Sequence, residues 1–577
     1  MANAAYPCDE LSNSDNSLMS VEGGNAWKKE QVHKEEDWGQ ARGTDSLGSD
    51  YGSYEDDGFI FSKYLQQERQ LQAILGYGLF DNLRFDVFSP ALESCMDEIA
   101  DISETSSRIQ DVVTPEKEKR YPQSLASLQL LTSHGRGFKR LNGGRIIEPS
   151  SESICMKESI HRLSTVEIMK VAGQRFIQSF SEKVDVVPLL NNPFDISFSG
   201  ISKEEMEDVE LVDILLAAAE KVCCQEFELA IKFLSRCDRL SSINGNPVQR
   251  VAYYFSEALR EKIDQELKGF KKEFSFDMEQ IVMDASSASL AHRQEVPFCQ
   301  VEQFAGIQAI IENVAEAKKV HIIDLGIKCG VQWTLLMQAL ASRHECTLEL
   351  LKITAVGFSS SQTEVSGKRL MGFAQSMNLP FSFRAVIISD ILDLKEDQFE
   401  LDTEETVAFY SEFFIFNLIA QPDHLDYLMG VIRNINPCIM VVTEVEANLN
   451  SPAFVSRFIE GLFFYGAYFD CIDACMERYD KNRINTEKLL NLGIRSLVVA
   501  DGNERRARHV KIDVWRAFFS RFRMEEKDLS MSSLYQADLM VKNFARARSC
   551  TLDMNGKSLI VGWMGTPIHS LSVWKFL

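Results

Sequence analysis

Apolar residues recur along this chain at different periods, and those periods divide it into stretches of different kinds. Residues 1 to 57 hold few apolar positions among Ser, Asn, Gly and acids. Such a stretch cannot bury enough surface to offset its ordering entropy, so it reads as disordered. From Phe59 to Ile102, residues such as Phe61, Leu71, Phe85 and Phe88 are mixed with acids. That mixture suits a partner-docking or activation segment, whose acids keep the aromatics solvated, and equally an amphipathic helix packed on the main domain. Residues 103 to 162 read mostly as polar linker. Their short basic clusters, Lys117 to Arg120 and Arg136, Lys139, Arg140 and Arg145, fit a nuclear-import signal or a solvated loop.

Helical spacing follows. Ser164 and Glu167 have capping-box separation ahead of Ile168, Val171, Phe176 and Ile177, and Ser202 and Glu205 repeat it ahead of Leu211, Leu215 and Ala218. Phe227 to Phe270 keeps the same period around a turn at Asn244-Gly245-Asn246-Pro247. The pattern then changes to strand-like runs near 320–324, 348–356, 381–389, 407–416 and 437–443, alternating with helical stretches such as 451–465. Runs of this kind predict buried parallel strands in βα units. Asn555-Gly556 between two strand-like runs predicts a type I′ hairpin at the sheet edge. The expected organisation is a disordered N-terminus over 1–57, a variable region over 58–202, and a main domain over 203–577. Its helices fall mainly in 203–290 and its α/β core mainly in 300–577.

Composition narrows the functional classes. A chain of 577 residues is long enough for a sizeable core. A formal charge of −23 argues against undirected nucleic-acid binding, which needs clustered cations. The 13 cysteines include no CxxC pair and follow no secretory start, so they read as reduced thiols of a nucleocytoplasmic protein. Cys471 and Cys475 share a helix face, but no nearby histidine completes a zinc set, and they read as a packed pair. No apolar run reaches bilayer-spanning length, so no membrane association is expected.

The candidate ligand pocket follows the strand Val320 to Asp324. Asp324 closes it, Gly326 and Gly330 follow, and Gln332-Trp333 open a helix. An acid and glycines after a buried strand are the elements of a nucleoside-binding turn. The loop departs from that pattern because Lys328 takes the middle glycine position. The next strand also runs into Gly357, Phe358 and polar residues instead of an acid that could hold a ribose. Asp324, Gly326, Gly330, Gln332 and Trp333 therefore outline either a vestigial pocket or a sheet-closing turn without a cofactor. Nine histidines are dispersed, and the GxSxG, HExxH and P-loop patterns are absent. No catalytic residue, metal or cofactor is assigned, and His321, inside the strand, reads as a hydrogen-bonded core imidazole.

The strand segment resembles the VHIID motif of the GRAS family of plant transcriptional regulators, and further motifs occur in the family's order. Leu211 to Glu220, Cys237 to Leu240 and Gln249 to Leu259 resemble the first leucine-rich region. Val407 to Ile419 sits where the second belongs, with Phe416-Asn417 in place of His-Arg. Pro437, Glu444, Arg457-Phe458, Phe464-Tyr465 and Phe469-Asp470 follow the PFYRE region. Glu504 to Arg508 resembles RVER with Ala507 for its glutamate, and Gly562-Trp563 and Ser572-Val573-Trp574 resemble SAW. The resemblance implies a methyltransferase-like Rossmann core with an α-helical cap. It also implies a nuclear regulator that binds other GRAS proteins through the cap, as homo- or heterodimers, and DNA-binding transcription factors. DNA would be contacted directly or through those partners. The DELLA and TVHYNP signatures of one branch are absent, since Asp9-Glu10-Leu11 continues into Ser12-Asn13. The alternative is a methyltransferase-like protein that binds a small nucleoside-type ligand.

Several residues remain open between surface and structural roles. Arg505, Arg506, Arg508 and Lys511 begin the densest basic run, interleaved further on with Trp515, Phe518, Phe519 and Phe522. At helical spacing the cations would face outward, toward DNA phosphates, acidic partners or the chain's own acids. Arg457, Phe464, Tyr465, Trp563 and Trp574 are interaction residues or core residues on the same evidence of pattern alone.

Overall fold

The computed structural model describes Leu130, residues 163–181, 201–269 and 291–577, apart from 345, 479, 502–504, 506, 507, 545 and 547. The expectations for residues 1–57, for the acidic-aromatic stretch and for the basic clusters up to Arg145 lie outside the described residues.

Both capping boxes form. Ser164 and Glu167 exchange hydrogen bonds at the start of α1 (Thr165–Ser181). Ser202 and Glu205 do the same for α2 (Lys203–Cys223). Glu205 also accepts from the Leu163 amide at 2.6 Å, which ties the two helix starts together. The helical layer thus includes α1, N-terminal to the boundary at 203 that pattern alone suggests. α3 (Phe227–Leu240) and α4 (Pro247–Lys268) follow, the latter opened by an Asn246–Gln249 capping box with Pro247 in the first turn.

After α5 (Pro297–Asn313) come the βα units: β1 (Lys319–Leu325), α6 (Gln332–Ala341), β2 (Leu350–Gly357), α7 (Ser360–Ser376), β3 (Phe381–Ile387), β4 (Glu405–Glu412), α8 (Pro422–Ile435) and β5 (Ile439–Val445). β1 lies parallel between β2 and β4, and both of its faces are covered, which explains its unbroken apolar run. α9 (Phe454–Cys475) is apolar nearly all round because it is buried between the helical layer and the sheet. Its glycines let neighbours approach, Gly461 against Leu497 and Gly466 against Met169. α10 (Lys481–Val498), α11 (Ile512–Arg521), β6 (Met524–Glu526), α12 (Met531–Asn543), β7 (Cys550–Asn555), β8 (Ser558–Trp563) and β9 (Thr566–Phe576) complete the chain. The sheet order is β3-β2-β1-β4-β5-β9-β8-β7, with β6 also on β9. This is an α/β fold, parallel in its first five strands, with antiparallel additions and a helical layer.

Three details differ from the sequence reading. β4 ends at Glu412, because Phe413 takes φ +52° and residues Ile415–Leu418 form a 3₁₀ turn. β9 and β6 were not anticipated, and β9 is inserted antiparallel against β5. The hairpin turn is centred on Gly556-Lys557, with Asn555 paired to Ser558 and positive φ at Gly556 but not at Asn555. Glycine at the first central position is the II′ pattern, not I′.

Candidate functional site

In the order β3-β2-β1-β4-β5 the chain reverses direction between β1 and β4, the position where an α/β sheet opens a crevice at the carboxyl ends of its strands. The candidate residues do converge there. Trp333, fully buried at the start of α6, donates its indole N–H to Asp324 Oδ2 at 2.7 Å and packs edge-on against Tyr410 at 5.0 Å. Burial pushes the Asp324 carboxyl up to about 7, against the indole hydrogen bond that favours its charge. Gly326 has φ +81°, and a Cβ there would lie 2.7 Å from the Phe414 ring. That ring stacks on Phe358 with 6.0 Å between centroids and 9° between planes. Gly330 carries φ +68° against Leu370, and Gln332 is buried beside Trp333 in the chain.

Lys328 enters the same place. Its Nζ lies 3.9 Å from Glu412 Oε1 and 4.6 Å from the centroid of Phe413. Glu412, at the end of β4, is buried and accepts from Arg293 at 2.8 Å, from Gln303 at 3.2 Å and from the Tyr410 hydroxyl at 3.2 Å. Burial alone would raise this carboxyl, but Arg293 and Lys328 outweigh it and hold the group below its ordinary range. Glu444, closing β5, accepts from the Phe416 amide at 3.3 Å and so caps the 3₁₀ turn that follows Phe414. Its burial pushes it up to about 8.

These residues do not fit a nucleoside cofactor of the kind a methyltransferase-like fold implies. The strand-end acid is taken by the protein's own indole, the first glycine by a phenylalanine ring, and the middle loop position by a cation paired within the chain. No acid closes β2, where Gly357-Phe358-Ser359 stand. Among the described residues no group of three or more His, Cys, Asp or Glu is placed to hold a metal ion.

The start of the basic run is committed within the chain where it is described, while Arg521 and Arg523 further on are exposed. Arg505 is 4% exposed and donates to the Leu449 carbonyl at 2.8 Å and the Asn450 carbonyl at 3.1 Å. Arg508 donates to the Arg505 carbonyl at 2.9 Å, and Lys511 pairs with Glu460 at 2.9 Å. Arg506 lies outside the described residues. The expectation of an outward cationic face therefore does not describe Arg505. The loop after β5 exposes backbone carbonyls that need donors, and a guanidinium supplies several in one plane. His509 is buried and lies on Phe416 with centroids 4.3 Å apart, which links this segment to the cleft.

The remaining candidates are structural in geometry. Arg457, 2% exposed on α9, donates to the carbonyls of Leu497 and Ser451, both at 3.0 Å, and pairs with Asp501 at 2.8 Å. Phe464 and Tyr465 are buried, Tyr465 edge-on to Phe255 at 6.1 Å. Trp563 donates to Asp470 at 2.8 Å, and Trp574 to Ser572 at 2.9 Å while lying on Phe519. Sequence reasoning missed Arg293, Gln303 and Glu412, and His569, which meets Glu302 at 2.7 Å across 267 positions. No local pattern marks partners so far apart.

A Rossmann-type parallel sheet, extended by antiparallel strands and joined to a helical layer, defines the fold class. Comparison with known proteins gives the family. The GRAS domain family matches residues 211–575, and the chain belongs to that family. It is 30% identical over 370 residues to DELLA protein RGL1 of Arabidopsis thaliana, covering 64% of this chain and 70% of that one. It is 29% identical over 377 residues to DELLA protein RGL3 of the same plant, with the same shares covered. The crystal structure of SCL7 from Oryza sativa superposes with a TM-score of 0.57 at 24% identity, over 63% of this chain and 99% of that one. The family is one of transcriptional regulators that interact with other proteins. No helix among the described residues is long and apolar enough to cross a membrane.

Proposed function

We propose that this protein is a nuclear regulator of transcription that works by docking other GRAS proteins and DNA-binding factors on its helical layer, and that it reaches DNA through those partners. The observation that carries the reading is the filled crevice, where Trp333, Phe414 and Lys328 occupy the positions a nucleoside would need. Two further features support it. The helical layer leaves Leu229 and Ile231 of α3 exposed, and partner helices bury side chains of this kind. Arg505 and Lys511 are committed to carbonyls and to Glu460, and the chain as a whole is strongly acidic, which weighs against phosphate contact at the start of the basic run.

The experiment is affinity purification of the tagged full chain from its own tissue, read by mass spectrometry, beside the variant Ile231→Glu. The expected result is that GRAS proteins and DNA-binding factors co-purify with the parent and are depleted with the variant. Salt-dependent, sequence-selective DNA binding by the purified chain alone would overturn the borrowed-DNA part of the reading.

A further inference from the structure

One cluster of reactive side chains stands apart from both the crevice and the Arg457 contacts. At the end of α9, Cys471 and Cys475 are one helical turn apart on the same face, with their sulfurs 4.0 Å from each other. Cys471 is buried, whereas Cys475 is half-buried and reachable from solvent. We propose that Cys475 is a modification site for hydroperoxides and that Cys471 resolves the oxidised product as a disulfide within the helix.

The geometry suits both steps. Ideal helical positions four apart have Cα atoms about 6 Å apart, inside the span that a disulfide bridges, while their Cβ atoms, about 5–6 Å apart, must close to about 4 Å. Cys475 is the last residue of α9, and Met476 is already extended, so closing the sulfurs to bonding distance moves a helix end and not its middle. The thiol of Cys471 hydrogen-bonds the sulfur of Cys475, which together with Arg546 holds the Cys475 thiol below its ordinary range despite partial burial and the acids Glu295 and Asp470.

In the first step the Cys475 thiolate attacks one peroxide oxygen. The S–O bond forms, the O–O bond breaks, and the departing hydroxide or alkoxide takes a proton and leaves as water or alcohol. Sulfur loses two electrons to become a sulfenic acid, and the peroxide gains them. In the second step the Cys471 sulfur attacks Cys475. The S–S bond forms, the S–O bond breaks, and hydroxide leaves with the Cys471 proton as water. The neighbouring residues give the modification a consequence. Asp470 accepts from Thr165 of α1 and from Trp563 of β8, and Asp473 pairs with Arg250 of α4 and Arg483 of α10. The turn that oxidation would reshape is the one that joins the helical layer to the sheet.

The test uses the full chain, fully reduced, then exposed to hydrogen peroxide and mapped by peptide mass spectrometry with a sulfenic-acid-selective dione. The expected result is a Cys471–Cys475 disulfide, reversible by dithiothreitol. It should form about tenfold faster than Cys346 is oxidised, whose thiol donates to the Glu316 carbonyl and not to a second sulfur. Cys471→Ser should trap a dione-labelled Cys475, Cys471→Ala should do the same if serine disturbs the buried site, and Cys475→Ser should abolish label and disulfide at this turn. Oxidation of Cys475 no faster than Cys346 in the parent, or a disulfide joining another pair, would overturn the proposal.

Discussion

The carboxyl rim of the parallel sheet and the outer face of the helical layer place their side chains in opposite ways. On the rim, Asp324, Glu412, Glu444 and Glu446 are all buried, and each has a donor within the chain: Trp333, Arg293, and the amides of Phe416 and Ile512. On the helical layer, Met206, Leu229, Ile231 and Ile243 stand 37–43% exposed. The rim, where an enzyme of this fold would hold its reactants, spends its polar groups on closure. The layer above it leaves apolar surface uncovered. The difference teaches that the motif acids of the rim are held by donors within the chain, and under the proposed function it directs the search for binding to the helical layer.

The largest effect expected is structural. Arg457→Ala removes a buried guanidinium that satisfies three backbone carbonyls and pairs with the half-exposed Asp501, and should cost about 3–5 kcal/mol in urea denaturation, chiefly because each buried carbonyl left without a donor costs about 1–3 kcal/mol. A cost below about 1 kcal/mol, typical of an exposed pair, would show that this motif arginine is free for partners. Arg505→Ala should cost less, about 1–3 kcal/mol for carbonyls left without donors, and should leave the salt dependence of any DNA association unchanged. A flattened salt slope would return this residue to a phosphate-binding role.

A pH effect follows from the rim. Glu444 has its pKa raised from 4.5 to about 8, so its contribution to stability is full below about 4.5 and is lost as pH rises toward 8. Asp324 and Glu446, each raised to about 7, act in the same direction. His292 and His509, lowered from 6.5 to about 3, contribute stability that is present above 6.5 and lost as pH falls toward 3. Between pH 6.5 and 8 the three acids therefore set the slope among these five groups, and the protein should lose stability as pH rises. Glu444→Gln, which keeps an acceptor for Phe416, should flatten that loss in thermal melts. An unchanged profile would mean the carboxylate is solvated.

The smallest expected stability effect sharpens the other side of the comparison. Ile231→Glu on α3 should change stability by no more than about 0.5 kcal/mol, because its side chain is 40% exposed, while depleting co-purified partners. A variant that unfolds would show that the residue belongs to the core.

Much of the fold was legible because the burial is two-sided. β1, β2 and β5 are buried along nearly their whole length, while the edge strand β3 is not, and the capping boxes of α1 and α2 lie within four-residue windows. β9 was not legible, since Pro567, His569, Ser570 and Ser572 interrupt its pattern, and their partners Glu302 and Val442 lie far back in the chain. The crevice was half legible. Asp324 and Trp333 could be picked out by position, but nothing local says that the indole satisfies the acid. Lys328 was visible as a break in the glycine pattern, while its partner Glu412 is 84 positions away. The basic run stayed open between phosphates, acidic partners and the chain's own groups, because composition records charge and not direction.

The central claim is that the crevice is closed by the chain's own residues, and calorimetry of the full chain with S-adenosylmethionine addresses it most directly. The account predicts no saturable heat at submillimolar ligand. Saturable binding that disappears in a folded Asp324→Ala variant would contradict it.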